Sequence, residues 1–151
     1  LHIPALFIFI CCDLFLCLMF EIEAQVTPDH ITPPYNHVHH ATVLSFLESA
    51  RVEFLKYVGF PNDEFLAKGL FMVITGITVR YKREVVVGQI RVSCENPRIQ
   101  GKLVLIEQRI FNSKGKVALE ALVESQFLDK SAGRAVKVPD DFRAAFVQAG
   151  T

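Results

Sequence analysis

The sequence predicts an α+β fold in which one antiparallel sheet of five strands curls around a single long helix. Two observations carry this expectation. From Val38 to Val58 the apolar residues Val43, Phe46, Leu47, Ala50, Phe54 and Val58 recur at steps of three and four, the spacing of a helix of about five turns. Later in the chain, residues 71–83, 85–95, 101–111 and 116–128 form four long stretches rich in Val, Ile and Leu, separated by short breaks. At about 100° per residue, Leu44, Val52 and Leu55 add a second apolar flank to the helix, so more than half of its circumference avoids water. A helix of that kind is enclosed by a sheet that bends around it. With 151 residues, 51% of them apolar, the chain has material for one core and not for two.

The elements follow in order. The first twenty residues hold seventeen apolar side chains and one charge, Asp13, unlike anything later. They lack the positive n-region and small-residue cleavage site of a secretory signal, and only their length suits a membrane helix. Met19-Phe20-Glu21 resembles a natural start, so residues 1–18 are read as an extension that the folded body of residues 19–151 does not need. The alternatives are a membrane anchor or uncleaved signal, and an ordered apolar segment. Residues 21–26 alternate as a strand, and Pro28, Pro33 and Pro34 make residues 27–36 a stiff loop. The long helix ends at Gly59, and residues 61–69 form a short helical connector capped by Asn62 or Asp63 and stopped by Gly69. In three of the four strands the faces separate cleanly. Val86, Ile90, Val92 and Cys94 alternate with Gln89, Arg91 and Ser93; Val104, Ile106 and Ile110 with Glu107 and Arg109; Val117, Leu119, Ala121 and Val123 with Glu120 and Glu124. One face is core and the other is wetter. Asn112-Ser113-Lys114-Gly115 supplies a turn, and Pro139 followed by acidic residues opens a short closing helix.

Charge and cysteine usage narrow the function classes. Sixteen basic residues balance sixteen acidic ones, so no whole-chain field recommends nucleic acid as a partner, and a membrane enters only if residues 1–18 are a true anchor. No Lys or Arg precedes Arg51, so any basic patch lies beyond residue 50. Cys94 is the one cysteine outside the first eighteen residues, which leaves no disulfide framework and reads as a cytoplasmic body. Its parity with Ile90 and Val92 makes it a small buried hydrophobe in preference to a nucleophile.

Several motifs in this order resemble a known family. The run Tyr35-Asn36-His37-Val38-His39-His40 is similar to the Y-G-H-V-N-N of hot-dog acyl-CoA thioesterases of the 4-hydroxybenzoyl-CoA thioesterase type, and Glu48-Ser49-Ala50-Arg51 to their E-x-A-R. Tyr81-Lys82-Arg83 and Val138-Pro139 fall where that family has its first post-helix strand end and its entry to the last helix. The resemblance covers residues 19–147 and implies a hot-dog fold and hydrolysis of an acyl-CoA or other acyl thioester. It also implies assembly through sheet edges into a homodimer or homotetramer, with no cofactor beyond the coenzyme A carried by the substrate. One departure matters. The family places an Asp, its carboxylate nucleophile or base, three residues before the motif Gly, and that position here is Pro33.

The chemistry needs a group to activate water or attack the carbonyl, and donors aimed at the developing oxyanion. First-turn N–H groups of a helix lack intrahelical partners, so the Val38–His40 backbone is the expected donor set, with Tyr35, Asn36, Val38, His39 and His40 as substrate-binding residues. Some members of the resembled family use a helix Glu in place of the loop Asp, which makes Glu48 the candidate base; the competing reading is a Glu48–Arg51 pair on a solvated edge. His37 matches the family's loop His and is expected to position substrate or water. Four of the five histidines, His30, His37, His39 and His40, fall within eleven residues, yet their spacing sends the rings different ways and only Asp29 is near, so no metal is expected. Arg80, Lys82 and Arg83 are the candidates for the coenzyme A phosphates, an ordinary solvated strand end being the alternative. Two rival functions stay open: an acyl-thioester-binding hot-dog protein that lost catalysis with the Asp, and a hot-dog hydratase or dehydratase.

Overall fold

The period-two and period-3.6 patterns become one sheet and three helices among the described residues of a computed structural model, residues 19–150. The leader of residues 1–18 lies outside the described residues. The elements are β1 (Phe20–Val26), α1 (Thr42–Tyr57), α2 (Asn62–Ala67), β2 (Leu70–Tyr81), β3 (Gly88–Gln100), β4 (Leu103–Phe111), β5 (Val117–Asp129), a two-residue β6 (Arg134–Ala135) and α3 (Asp140–Gln148). The strands pair antiparallel in the order β1-β3-β4-β5-β2, with β6 on the end of β5. Neighbours in sequence, β2 and β3, are therefore not neighbours in space: β2 crosses to the far edge and pairs with β5.

Local hydrogen bonds explain where expected boundaries moved. The helix begins at Thr42 and not at Val38, because the Val38 N–H donates to the Val85 carbonyl at 2.8 Å while Val38 bridges Ile31. The same bond holds residue 85 off the sheet, so β3 starts at Gly88, and Val86, expected on the core parity, lies before the strand and is exposed. At its other end β3 runs past Glu95 to Gln100, because a register shift between Glu95 and Arg98 absorbs Pro97, which has no N–H to give a ladder. A short 3₁₀ turn, Pro28–His30, sits in the loop expected to be irregular, closed by Thr27 N–H donating to His30 Nδ1 at 3.0 Å. The wet-face parity also fails once: Ser93 is buried, and so is its face-mate Glu95, because Ser93 Oγ and Arg109 Nη1 hydrogen-bond the Glu95 carboxylate at 2.5 and 2.7 Å.

Helix α1 lays Phe46, Leu47, Ala50 and Phe54 into the concave face, against inward residues such as Val92, Ile110, Leu119 and Val123. At the far end α2 and α3 close the sheet with an aromatic cluster, where the Phe142 ring lies 5.0–5.5 Å from those of Phe60, Phe65, Phe127 and Phe146. Among the polar side chains buried in this core, Gln108 ties the helix to the sheet. Gln108, on β4 and 1% exposed, donates from Nε2 to the Leu47 carbonyl at 3.0 Å and accepts at Oε1 from Arg51 Nη1 at 2.7 Å. Both contacts reach the middle of α1, so the amide fixes the helix's rotation and height on the sheet, which apolar packing alone specifies loosely.

Replacing Gln108 by Leu keeps the volume but leaves Arg51 without its acceptor, so stability falls by about 1–3 kcal/mol. In urea denaturation at fixed protein concentration, the Gln108→Leu, Arg51→Met double variant loses less than the sum of the two single losses.

Candidate active site

The chain that enters α1 builds a cavity of about 660 Å³ between the 32–43 segment, the end of β2, the residues after it and the start of β5. Its walls bring together Tyr35, His37, Val38, His39 and His40, with Val43, Val85 and Leu119 as apolar lining. Asn36 is exposed and does not line it. Tyr81 stands at the rim and donates from Oη to the His40 carbonyl at 2.9 Å, bracing the helix entry.

Of the three expected backbone donors, Val38 is already engaged by Val85. The N–H groups of His39 and His40 have no acceptor among the described residues, while the turn is held by Thr42 N–H on the His39 carbonyl at 2.9 Å and by Ala41 N–H on His39 Nδ1 at 3.3 Å. Both residues precede the N-cap Ala41, so their N–H groups lie outside α1 and not in its first turn as the sequence suggested; as unengaged donors on residues that wall the cavity they suit a developing oxyanion. The His39 and His40 rings lie together, with centroids 4.0 Å apart, and do not point different ways as their spacing suggested. His30 is held by Thr27 and packs edge-on to Phe46 at 5.0 Å, and among the described residues no group of three His, Cys, Asp or Glu side chains is arranged to hold a metal ion.

Glu48 is elsewhere. It is exposed and borders a second, smaller cavity of about 110 Å³ with Arg51, Val52, Met72 and Ile74, while His37 and the other loop residues line the first. A single copy therefore separates the two expected catalytic side chains. No Glu48–Arg51 ion pair forms among the described residues, because Arg51 turns inward to Gln108; burial draws its guanidinium below the usual value, and the Glu48 charge opposes that shift.

The basic cluster also divides. Lys82 pairs with Glu120 at 2.8 Å, a hydrogen bond that holds the Glu120 carboxyl below the usual carboxylate range. Arg80 stands opposite Glu120 on the same outer face, where the two border a separate groove. Only Arg83 of the three lines the large cavity, its Nη1 donating to the Val117 carbonyl at 2.6 Å. The sequence reading missed one residue there: Glu84, whose Oε1 lies 3.6 Å from His37 Nδ1. A loop Glu carries no periodic signal, so nothing in the pattern distinguished it.

Cys94 is buried beneath α1, and burial pushes its thiol up to about 12. Its Sγ lies 3.3 Å from Gln108 Nε2. It is a core residue and not a nucleophile.

An antiparallel sheet curled around one long helix is the hot-dog fold. The chain belongs to the thioesterase-like superfamily, whose family description matches residues 12–146. It is 26% identical over 119 residues to the long-chain acyl-CoA thioesterase FadM of Escherichia coli, a match spanning 76% of this chain and 87% of that one. It is 36% identical over 70 residues to a Synechocystis protein named "Putative esterase sll0410"; that match spans 46% of this chain and only 42% of the relative. Among solved structures, the DHNA-CoA thioesterase of Staphylococcus aureus superposes with a TM-score of 0.79 at 17% identity, over 86% of this chain and 89% of that one, a likeness of fold. No helix among the described residues is long and apolar enough to cross a membrane.

The Cys94 geometry makes a chemical prediction. Peptide-resolved alkylation at pH 8 leaves Cys94 unlabelled in the native protein and labels it in urea. Because the folded-state value is raised, its contribution to stability is intact below pH 9 and is lost progressively as the pH climbs from 9 toward 12, where only the unfolded chain releases the proton. In the Cys94→Ala variant that part of the alkaline loss disappears.

Proposed function

We propose that this protein hydrolyses acyl-CoA thioesters to the free acid and coenzyme A. The observation that carries the reading is the large cavity: apolar walls for the acyl or pantetheine chain, two unengaged amides at a helix entry and the His37 ring beside them, in a member of the thioesterase-like superfamily. The His39 and His40 N–H groups polarise the thioester carbonyl. Water attacks the carbonyl carbon as a proton passes to the Glu48 carboxylate, with His37 positioning the water; the C–S bond then breaks and coenzyme A leaves as the thiolate. Of the three expected cations, only Arg83 lines the cavity, which supports it as the contact to the coenzyme A phosphates. Within the superfamily, the 35–40 and 48–51 motifs support the 4-hydroxybenzoyl-CoA thioesterase type.

Bringing Glu48 to His37 takes a second copy. Strand β2 is a twelve-residue edge rich in Ile, Val, Phe and Met, yet none of its residues is buried, an edge that demands a cover. Antiparallel pairing of β2 with itself about the Gly76–Ile77 peptide sets Met72 opposite Tyr81 and Ile74 opposite Val79. A register shift between Ile74 and Gly76 lets these four side chains share the concave face, since they pair with Phe127, Leu119, Ser125 and Ala121 of β5. Met72 and Ile74 wall the Glu48 cavity and Tyr81 walls the His37 cavity, so each copy's Glu48 faces the other's histidine loop.

Pro33 at the position of the family's Asp favours a second reading, a protein that binds acyl thioesters without cleaving them. Thiol release from a panel of acyl-CoAs decides between the two. Hydrolysis by the wild type falls by roughly 10²–10⁴-fold in Glu48→Gln with little change in folding, and less in His37→Asn. A wild type that binds coenzyme A but cleaves nothing hands the case to the second reading, and an active Glu48→Gln variant removes Glu48 from the mechanism.

A further inference from the structure

We propose that Glu84 is the positioning carboxylate of the large cavity, holding His37 through Nδ1 and so filling a need left by the absence of a carboxylate at position 33. The proposal rests on the hydrolase reading and deepens it.

Three observations converge on Glu84. Among the described residues it is the one carboxylate that lines this cavity, and the loop position where the resembled family keeps its Asp is Pro33. Its Oε1 lies 3.6 Å from His37 Nδ1, in ion-pair range and longer than a hydrogen bond, a separation common at catalytic contacts before substrate closes the site. Its backbone is held on both sides. Lys82 and Arg83 N–H both donate to the Ala118 carbonyl, at 2.8 and 3.0 Å, and the Val85 carbonyl accepts from Val38 N–H at 2.8 Å, one residue from His37. The strap 82–85 is thus stitched to β5 on one side and to the histidine loop on the other, which keeps Glu84 opposite His37 although its side chain is 74% exposed.

The other groups facing His37 leave this role to Glu84. The Tyr35 ring stacks at a tilt 5.3 Å away, and the Arg83 guanidinium is held by the Val117 carbonyl. The His39 and His40 rings lie against each other with centroids 4.0 Å apart. With Nδ1–H directed at Glu84, the neutral ring presents the Nε2 lone pair, which accepts a hydrogen bond from the attacking water. In this role Glu84 acts through His37.

The test pairs a spectroscopic readout with kinetics. Long-range ¹⁵N imidazole spectra of the full-length protein assign the neutral His37 tautomer. The expected result is Nδ1–H in the wild type and in Glu84→Gln, which keeps an acceptor oxygen, and a shift to Nε2–H in Glu84→Ala. The same tautomer in wild type and Glu84→Ala overturns the proposal. In thiol release, Glu84→Ala lowers kcat by roughly 10- to 100-fold, as for partners that orient a functional histidine, with KM nearly unchanged. It causes no further loss in a His37→Asn background. An effect confined to KM, or a full additional loss in that background, also overturns it. A wild type inert toward every acyl-CoA counts against the hydrolase reading alone, because the tautomer comparison still decides the role of Glu84.

Discussion

The Gln108 amide sets the geometry on which the site depends. An apolar helix in an apolar trough can slide or rotate at little cost, since dispersion and burial are nearly directionless. A buried amide cannot, because misplacing it leaves polar groups unpaired in a medium where each unmade bond costs about 1–3 kcal/mol. By joining the Leu47 carbonyl and the Arg51 guanidinium of α1 to β4, Gln108 determines where the first turn of the helix stands. The His39 and His40 amides and the face that carries Glu48 follow from that one placement. Arg51, read in the sequence as a surface partner for Glu48, belongs to this anchor and leaves Glu48 open to solvent.

The large cavity is assembled from segments distant in sequence by backbone bonds that no side-chain pattern encodes. Val38 to Val85, and Lys82 and Arg83 to Ala118, tie the helix-entry loop, the post-β2 strap and β5 into one wall. That stitching accounts for two features together. It delays α1 to Thr42 and β3 to Gly88, and the displaced residues become the walls of the site. Regular structure is given up where chemistry is placed, as is usual for binding loops carried on a rigid scaffold.

The fold was legible where burial is periodic. The stripe from Val43 to Phe54 and the parities of β3, β4 and β5 each report a single buried face, so the sheet and the central helix could be read directly. Legibility failed where a polar group is buried by its partners: Ser93 and Glu95 obey an outward parity but are covered by the Arg109 network. Gln108 went unread, although it stands on the core parity of Ile106 and Ile110, because its partners Leu47 and Arg51 are distant in sequence. Of the candidate site, the loop from Tyr35 to His40 was singled out by resemblance, whereas the place of Glu84 beside His37 and the separation of Glu48 from His37 are products of folding that a one-dimensional pattern does not contain. The division of Arg80 and Lys82 from Arg83 is of the same kind, since it depends on which cations Glu120 reaches.

The central claim is that a working site joins His37 of one copy to Glu48 of another, and subunit mixing tests it most directly. Glu48→Gln and His37→Asn proteins, each impaired alone, are unfolded together, refolded at equal concentration and assayed for thiol release. Random pairing makes half of the dimers mixed, each with one site that keeps both wild-type side chains, so activity recovers to about a quarter of the wild-type value. Activity that stays at the mean of the two impaired proteins, with mixed dimers shown to be present by mass, would contradict a site shared between copies.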